Sequence, residues 1–193
     1  MSKICLQEDK IEQYRKEFSE SKCIFIPDLI EKSFLKELLL KIDKASFYEK
    51  EEADEYKFGK VLFVPQNEPS VFILNLLLND RKLFSMLEKI TACRSIKDFV
   101  GRIHRSEGEQ HGINWHGDNF NDRLLAITLG LGNDKYGGAE FQLREKGSEK
   151  LLGEFGQLEA GNAIIFQIAP HLEHRLAPIK KGRRTVGVGW FRG

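Results

Sequence analysis

The segment Trp115-His116-Gly117-Asp118-Asn119 carries a histidine and an aspartate two residues apart. In a strand, side chains at i and i+2 leave the same face, so His116 and Asp118 can both reach one ion at about 2 Å. Gly117 between them removes bulk from the opposite face. Downstream, Pro170-His171-Leu172-Glu173-His174-Arg175 supplies two more candidate ligands, His171 and His174. Two histidines and one carboxylate on one face of an octahedron, with the other positions open, form the ligand set of a non-heme Fe(II) oxygenase. A strand histidine satisfied by a neighbouring acid would look the same, so the surrounding pattern has to decide.

After His174 come Pro178, Gly182, Arg183 and Arg184, then a strand ending Gly189-Trp190-Phe191. A guanidinium beside such a metal suits a dicarboxylate co-substrate, because it grips one carboxylate through two hydrogen bonds while the metal chelates the other end. Arg184 shares a strand face with Val186, Val188 and Trp190, and Arg183 points the other way. Charge agrees: Fe(II) with neutral His116 and His174 and ionised Asp118 leaves one positive charge, Arg184 makes two, and a dianion neutralises both.

The ordered set His116-x-Asp118, Tyr136-x-Gly138-Ala139-Glu140-Phe141, Gly161-Asn162-Ala163-Ile164-Ile165-Phe166, His174-x-Leu176-x-Pro178 and Gly182-x-Arg184 through Trp190 resembles the prolyl-4-hydroxylase-like branch of the Fe(II)/2-oxoglutarate-dependent dioxygenases. The resemblance spans roughly residues 99–191. It implies a double-stranded β-helix, iron held by His116, Asp118 and His174, and 2-oxoglutarate anchored by Arg184 and decarboxylated to succinate and CO2 with O2 as second co-substrate. The family spacing favours His174 over His171, since Pro178 and Arg184 follow His174 four and ten residues on. His171 is then a loop residue, or it orients a ligand through its other ring nitrogen.

Many relatives hold 2-oxoglutarate with a tyrosine on the strand before the HxD, whereas residues 99–108 read FVGRIHRSEG and contain none. His104 or Arg102 takes that place, or both are strand residues facing solvent or an acid. Thr128 adds a hydroxyl to the same carboxylate, or is simply a β-former. The stretch 108–116, with Gln110, His111, Asn114 and Trp115, forms a lip where selectivity would reside, and Phe120 lines the cavity mouth. Asp118 retains the carboxylate that halogenating relatives lack.

The expected activity is therefore hydroxylation of a C-H bond in a protein side chain such as proline, an amino acid or a small metabolite. Two other readings stay open: a cupin-like metal enzyme that does not use 2-oxoglutarate, and a non-catalytic jelly-roll binding module. Lys180-Lys181-Gly182-Arg183-Arg184 reads as a hairpin turn carrying one anchor and not as a nucleic-acid patch. Nucleic-acid demethylases of the superfamily pair the anchor with a second arginine six residues on, and here that position is Trp190.

The elements that must position these residues divide by composition. Only Gly59 of the 17 glycines lies in the first hundred residues, and all five histidines and both tryptophans lie beyond it. Ile11, Tyr14, Arg15 and Phe18 recur at helical spacing, as do Phe34, Leu35, Leu38, Leu39 and Ile42, with Ser33 as the second helix's cap. Cys23-Ile24-Phe25-Ile26 and Val61-Leu62-Phe63-Val64 read as strands, the charged run 49–57 as a solvated loop, and a third helix covers 70–79 or 81–90 with a break near Asn79-Asp80. Strands are expected at 99–105, 139–144, 163–168 and 184–191, with turns at Tyr136-Gly137-Gly138, Ala160-Gly161-Asn162 and Lys181-Gly182. Leu125, Ile127, Leu129 and Leu131 alternate with Ala126, Thr128 and Gly130, so one face is bulky and the small face leaves a cavity. The fold expected is mainly β (α+β), a double-stranded β-helix or jelly roll over 99–193 with helices of 1–98 buttressing the sheet, as one domain over 1–193.

Composition bounds the rest. With 30 Lys and Arg against 29 Asp and Glu, the net charge of +1 excludes a strongly basic nucleic-acid binder on bulk electrostatics. The longest apolar runs fall far short of the roughly 20 residues a membrane span needs. Three scattered cysteines and a polar N-terminus point to a soluble cytoplasmic protein. Its partner is expected to be a small-molecule or peptide substrate.

Overall fold

The computed structural model describes residues 2–51, 56–107, 111–120 and 122–193. After a short 3-10 turn, Glu8–Lys10, the chain runs through α1 (Ile11–Ser21), β1 (Cys23–Ile26), α2 (Lys32–Asp43), β2 (Tyr48–Glu51), β3 (Lys57–Phe58), β4 (Lys60–Phe63), α3 (Pro69–Leu78) and α4 (Arg81–Thr91). The β-rich part follows as β5 (Asp98–Glu107), β6 (Gly112–His116), β7 (Arg123–Gly130), β8 (Tyr136–Gly138), β9 (Phe141–Glu145), β10 (Leu151–Phe155), β11 (Ala163–Gln167), β12 (Leu172–Leu176) and β13 (Ile179–Arg192).

Two antiparallel sheets face each other as a jelly roll. The larger has the order β1-β11-β7-β13-β5-β4-β2, with β8 also pairing β13, and the smaller has the order β10-β9-β12-β6-β3. Strand alternation decides which side of the large sheet the helices cover. Leu125, Ile127, Leu129 and Leu131 join Ile103, Phe191 and Ile165 in one core with Tyr14 and Phe18 of α1, Leu38 of α2, Leu74 of α3 and Leu87 of α4. The opposite face carries Ala126 and Thr128, and these line the space between the sheets, as the bulky and small alternation implies. A second cluster, including Leu143, Ile164, Phe166 and Leu172, closes one end of that space.

Several sequence expectations change. The third helix is two helices, because the Asp80 carboxylate caps α4 by accepting from the backbone N-H of Lys82 at 2.7 Å and Leu83 at 3.1 Å. Ser33 is not a cap: it sits inside α2, whose flanking residue is Glu31, and its hydroxyl bonds the Glu31 carboxylate. The charged run contains strands, and its charges suit an edge: Glu49 of β2 meets Lys60 of β4 at 2.9 Å. Residues 52–55 of that run lie outside the described residues. Tyr136-Gly137-Gly138 is a strand and not a turn, paired to the start of β13. The strand expected from 139 begins at Phe141, since Ala139 has φ +57. Lys181-Gly182 lies inside β13 and bends it: Gly182 has φ +83, and a Cβ there would lie 2.2 Å from the Lys135 carbonyl oxygen. The expected lip is largely strand β6, with residues 108–110 outside the described residues. Strands β10 and β12 were not anticipated. No helix among the described residues is long and apolar enough to cross a membrane.

One device holds the central strand β5 in place. Its partner β4 pairs only with residues 104–106, leaving the earlier part of that edge without a strand. Asn75 of α3 and Asn79 just past its end, one helical turn apart, fill the gap. The Asn75 side chain accepts from Gly101 N-H at 2.8 Å and donates to Gly101 C=O at 3.1 Å; Asn79 does the same to Phe99, at 2.9 Å each way. Each amide thus replaces a neighbouring strand's backbone. Asn79→Leu keeps the size but strands a donor and an acceptor, at about 1–3 kcal/mol each. Urea unfolding should show a lower midpoint with unchanged slope; an unchanged midpoint would mean that water serves Phe99 equally well.

Candidate metal centre

β6 and β12 are neighbours in the small sheet, and their register sets His174 directly opposite His116. The two imidazole centroids are 4.2 Å apart. β6 ends at His116, so Asp118 reaches the same point from the loop that leaves the strand and not from a shared strand face. Gly117 has no steric duty there, since a Cβ would make only an ordinary 3.5 Å contact to the Leu172 carbonyl. Ligand atoms of His116, Asp118 and His174 all lie within 4.8 Å of one another, the one such three-residue group of metal-ligand type among the described residues.

The protonation states suit ligation. His116 Nδ1 lies 2.8 Å from the Asn114 carbonyl oxygen, which can only accept, so Nδ1 carries a hydrogen and Nε2 is the ring nitrogen left to face a metal. Burial, reinforced by His116 and opposed by Asp118, pushes the His174 pKa down to about 3, leaving that imidazole neutral at neutral pH. Asp118 is oriented from the opposite sheet: the Trp190 indole N-H donates to Oδ2 at 2.8 Å. Arg123, stacked 3.7 Å over the Trp190 ring, lies 3.6 Å from Oδ1. Two imidazoles and a carboxylate form a mixed nitrogen and oxygen donor set that fits a divalent transition metal.

This group opens into a cavity of about 580 Å³ between the sheets. Its other wall is the inner face of the large sheet. Arg184, Val186, Val188 and Trp190 alternate along β13 and stand opposite Ser106, His104, Arg102 and Val100 of β5. Arg184 is 4% exposed, and its Nε, although buried, has no hydrogen-bond partner. Burial lowers its pKa from the ordinary value, while the nearby Tyr136 hydroxyl works against that shift. The same hydroxyl accepts from Leu158 N-H at 2.6 Å, which fixes the tyrosine behind the guanidinium. The neighbouring Arg183 points outward to Asp134 at 2.8 Å, as the strand alternation requires.

The structure brings His104 and Thr128 into the same cavity. His104 Nε2 is buried without a partner, and burial first, then Arg184 and Arg102, hold its pKa well below the ordinary histidine value. A neutral imidazole near the Arg184 guanidinium, with the Thr128 hydroxyl on the same wall, fits a carboxylate. The other two histidines lie elsewhere. His171 is exposed and not among the cavity residues, its carbonyl accepting from Lys146 N-H at 2.8 Å. His111 is buried with Nδ1 2.8 Å from the Ser106 hydroxyl. Phe120 lines the mouth with 60% of its surface exposed.

Sequence reasoning gave no role to Tyr136, Arg123 or the Trp190 ring nitrogen. Trp190 had a signal, since it shares the Arg184 face. Tyr136 had none, because its approach to Arg184 depends on β8 folding back onto β13.

No protein-family model and no curated protein matches the sequence. Solved structures do match by shape. A 2OG-Fe(II) oxygenase family oxidoreductase from Burkholderia pseudomallei superposes with TM-score 0.70 at 16% identity, covering 97% of this chain and 93% of its own. A Pseudomonas putida prolyl-4-hydroxylase gives TM-score 0.67 at 14% identity, covering 94% and 98%. A prolyl hydroxylase from Trichoplax adhaerens, in complex with a hypoxia inducible factor oxygen degradation domain peptide fragment, gives 0.68 at 13%, covering 97% and 94%. Over nearly its whole length, then, this chain has the fold of the 2-oxoglutarate and Fe(II) oxygenases and of the prolyl hydroxylases among them.

Proposed function

We propose that the chain is an Fe(II)- and 2-oxoglutarate-dependent dioxygenase that hydroxylates a C-H bond of a protein side chain such as proline, an amino acid or a small metabolite. The observation that carries this reading is the pairing, in one cavity, of the His116, Asp118 and His174 donors with a buried Arg184 whose Nε has no protein partner. His116 and His174 would hold iron through neutral imidazole nitrogens and Asp118 through one carboxylate oxygen. Arg184 would bind the far carboxylate of 2-oxoglutarate, with His104 near it and Thr128, opposite Val188, further along the same wall. The chemistry supplied by the bound iron and co-substrates is oxidative decarboxylation of 2-oxoglutarate by O2, giving succinate and CO2, coupled to hydroxylation of the substrate.

The chain's own contribution is positioning and exclusion of water. Trp190 and Arg123 fix the Asp118 carboxylate, the Asn114 carbonyl orients the His116 ring, and the Tyr136 hydroxyl stands near Arg184. The fold neighbours that hydroxylate prolyl residues support a peptide as one substrate class; the cavity's size accommodates a small molecule equally.

Two experiments test the reading. His116→Ala and Asp118→Ala should each weaken Mn(II) binding more than about a hundredfold by calorimetry, since losing even an outer partner of a ligand costs about 10–100-fold. Both variants should keep cooperative melting and the wild-type circular dichroism spectrum; metal affinity unchanged in either would remove that residue from the site. Anaerobic titration of the Fe(II)-loaded protein with 2-oxoglutarate should raise a weak visible charge-transfer band, and Arg184→Ala should need about 10–100-fold more co-substrate to reach it, the worth of a charge-assisted hydrogen-bond pair. Bound iron without a band would favour a metal enzyme that does not use 2-oxoglutarate, and no bound iron would favour a binding module.

A further inference from the structure

Arg102 is a second cavity arginine that the proposed mechanism does not use. It stands opposite Val188, on the same inner face as Arg184 but four residues further along β5. At about 3.3 Å per residue, the two anchor points lie roughly 13 Å apart along the sheet. They serve different ends of the cavity. Arg184 is buried near Tyr136 and stands opposite Ser106. The Arg102 guanidinium carbon lies 5.0 Å from the centre of the Phe63 ring and 6.0 Å from that of Trp190, whose ring nitrogen holds Asp118. Its guanidinium therefore sits on the metal side, over two aromatic rings.

Among the described residues no carboxylate neutralises it. Arg102 Nε is buried without a hydrogen-bond partner, and no carboxylate among the described residues forms an ion pair with it. The wider lining repeats the imbalance: among the described residues, six Lys and Arg side chains face two carboxylates, Asp118 and Glu173. Asp118 belongs to the metal set, and Glu173 is already bonded to Arg144 at 2.7 Å. Once one dianion has matched the metal centre and Arg184, the positive charge of Arg102 remains.

We propose that Arg102 is a specificity residue that anchors a carboxylate carried by the primary substrate, so that the substrate is an acid and not a neutral stretch of peptide. This rests on the reading of Arg184 as the co-substrate anchor. Trp190, beneath the guanidinium, would set the distance between that carboxylate and the metal, placing the C-H bond to be oxidised near the substrate's acidic end.

The test uses Zn(II)-loaded protein saturated with N-oxalylglycine, an inert analogue of 2-oxoglutarate, and a panel of small carboxylic acids with their primary amides, read by ligand-observed NMR and calorimetry. Acids should bind and their amides should not. Arg102→Met should weaken the acids about tenfold or more, the worth of a charge-assisted hydrogen bond, while Arg102→Lys recovers part of the loss. N-oxalylglycine affinity should stay within about twofold of wild type in Arg102→Met and fall in Arg184→Met. Three outcomes would overturn the proposal: amides binding as well as acids, acids binding Arg102→Met unchanged, or no acid binding to wild-type protein that holds N-oxalylglycine. Loss of N-oxalylglycine in Arg102→Met would also overturn it, by assigning Arg102 to the co-substrate. Failure of wild-type protein to bind N-oxalylglycine at all would instead sink the co-substrate reading beneath it.

Discussion

The register of β12 against β6 is the constraint on which the site depends. Because side chains alternate along a strand, a slip of one residue would turn His174 away from His116 and present Glu173 or Arg175 instead. The register is held from both sides. β12 pairs β9 continuously from Leu172 to Leu176, and it pairs β6 at His174 and again, after an irregularity, at Leu176. Leu172 and Leu176, on the His174 face, are buried in separate clusters at the two ends of the strand. The hydrophobic pattern therefore specifies the face on which the histidine must appear.

The third member of the group is fixed by a different device, and that device joins the sheets. Asp118 stands just past the end of β6, where no ladder constrains it. The hydrogen bond from Trp190 crosses from the large sheet to reach it, and Arg123 lies over the same indole ring. Trp190 in turn is placed by β13, which pairs with both β5 and β7. The metal-ligand group is thus referenced to both walls of the cavity, and relative motion of the sheets would separate Asp118 from the two histidines.

The parts legible in the sequence were those written in a single strand or helix. The alternation of Leu125, Ile127 and Leu129 with Ala126 and Thr128 gave both the helix-covered face and the cavity face, because each residue's neighbours in space follow from strand period alone. The opposite directions of Arg183 and Arg184 followed in the same way. What escaped was set by pairing between distant segments. Tyr136-Gly137-Gly138 has the composition of a turn and becomes a strand only because β13 begins beside it, with Gly182 bending the longer strand. In the sequence Asn79 marks only a helix break and Asn75 carries no signal; their use is visible only once the uncovered edge of β5 lies against α3. The conjunction of His116 and Asp118 was anticipated with the wrong local geometry, a shared strand face where the structure has a strand end and a loop.

Net charge shows the same limit from the side of electrostatics. A balance of +1 over 193 residues describes the far field of the molecule and says nothing about a cavity whose lining is strongly basic. Two arginines outside the cavity lining are paired: Arg183 with Asp134 and Arg192 with Asp98. Such pairs cancel in the sum and contribute little in solvent. The inward ones, Arg102 and Arg184, keep donors that the protein leaves unmatched. Burying such groups is costly unless something compensates them. The fold therefore keeps that cost at the inner face of one sheet, where an anionic ligand would offset it, and nearly neutral bulk composition is compatible with a site built for acids.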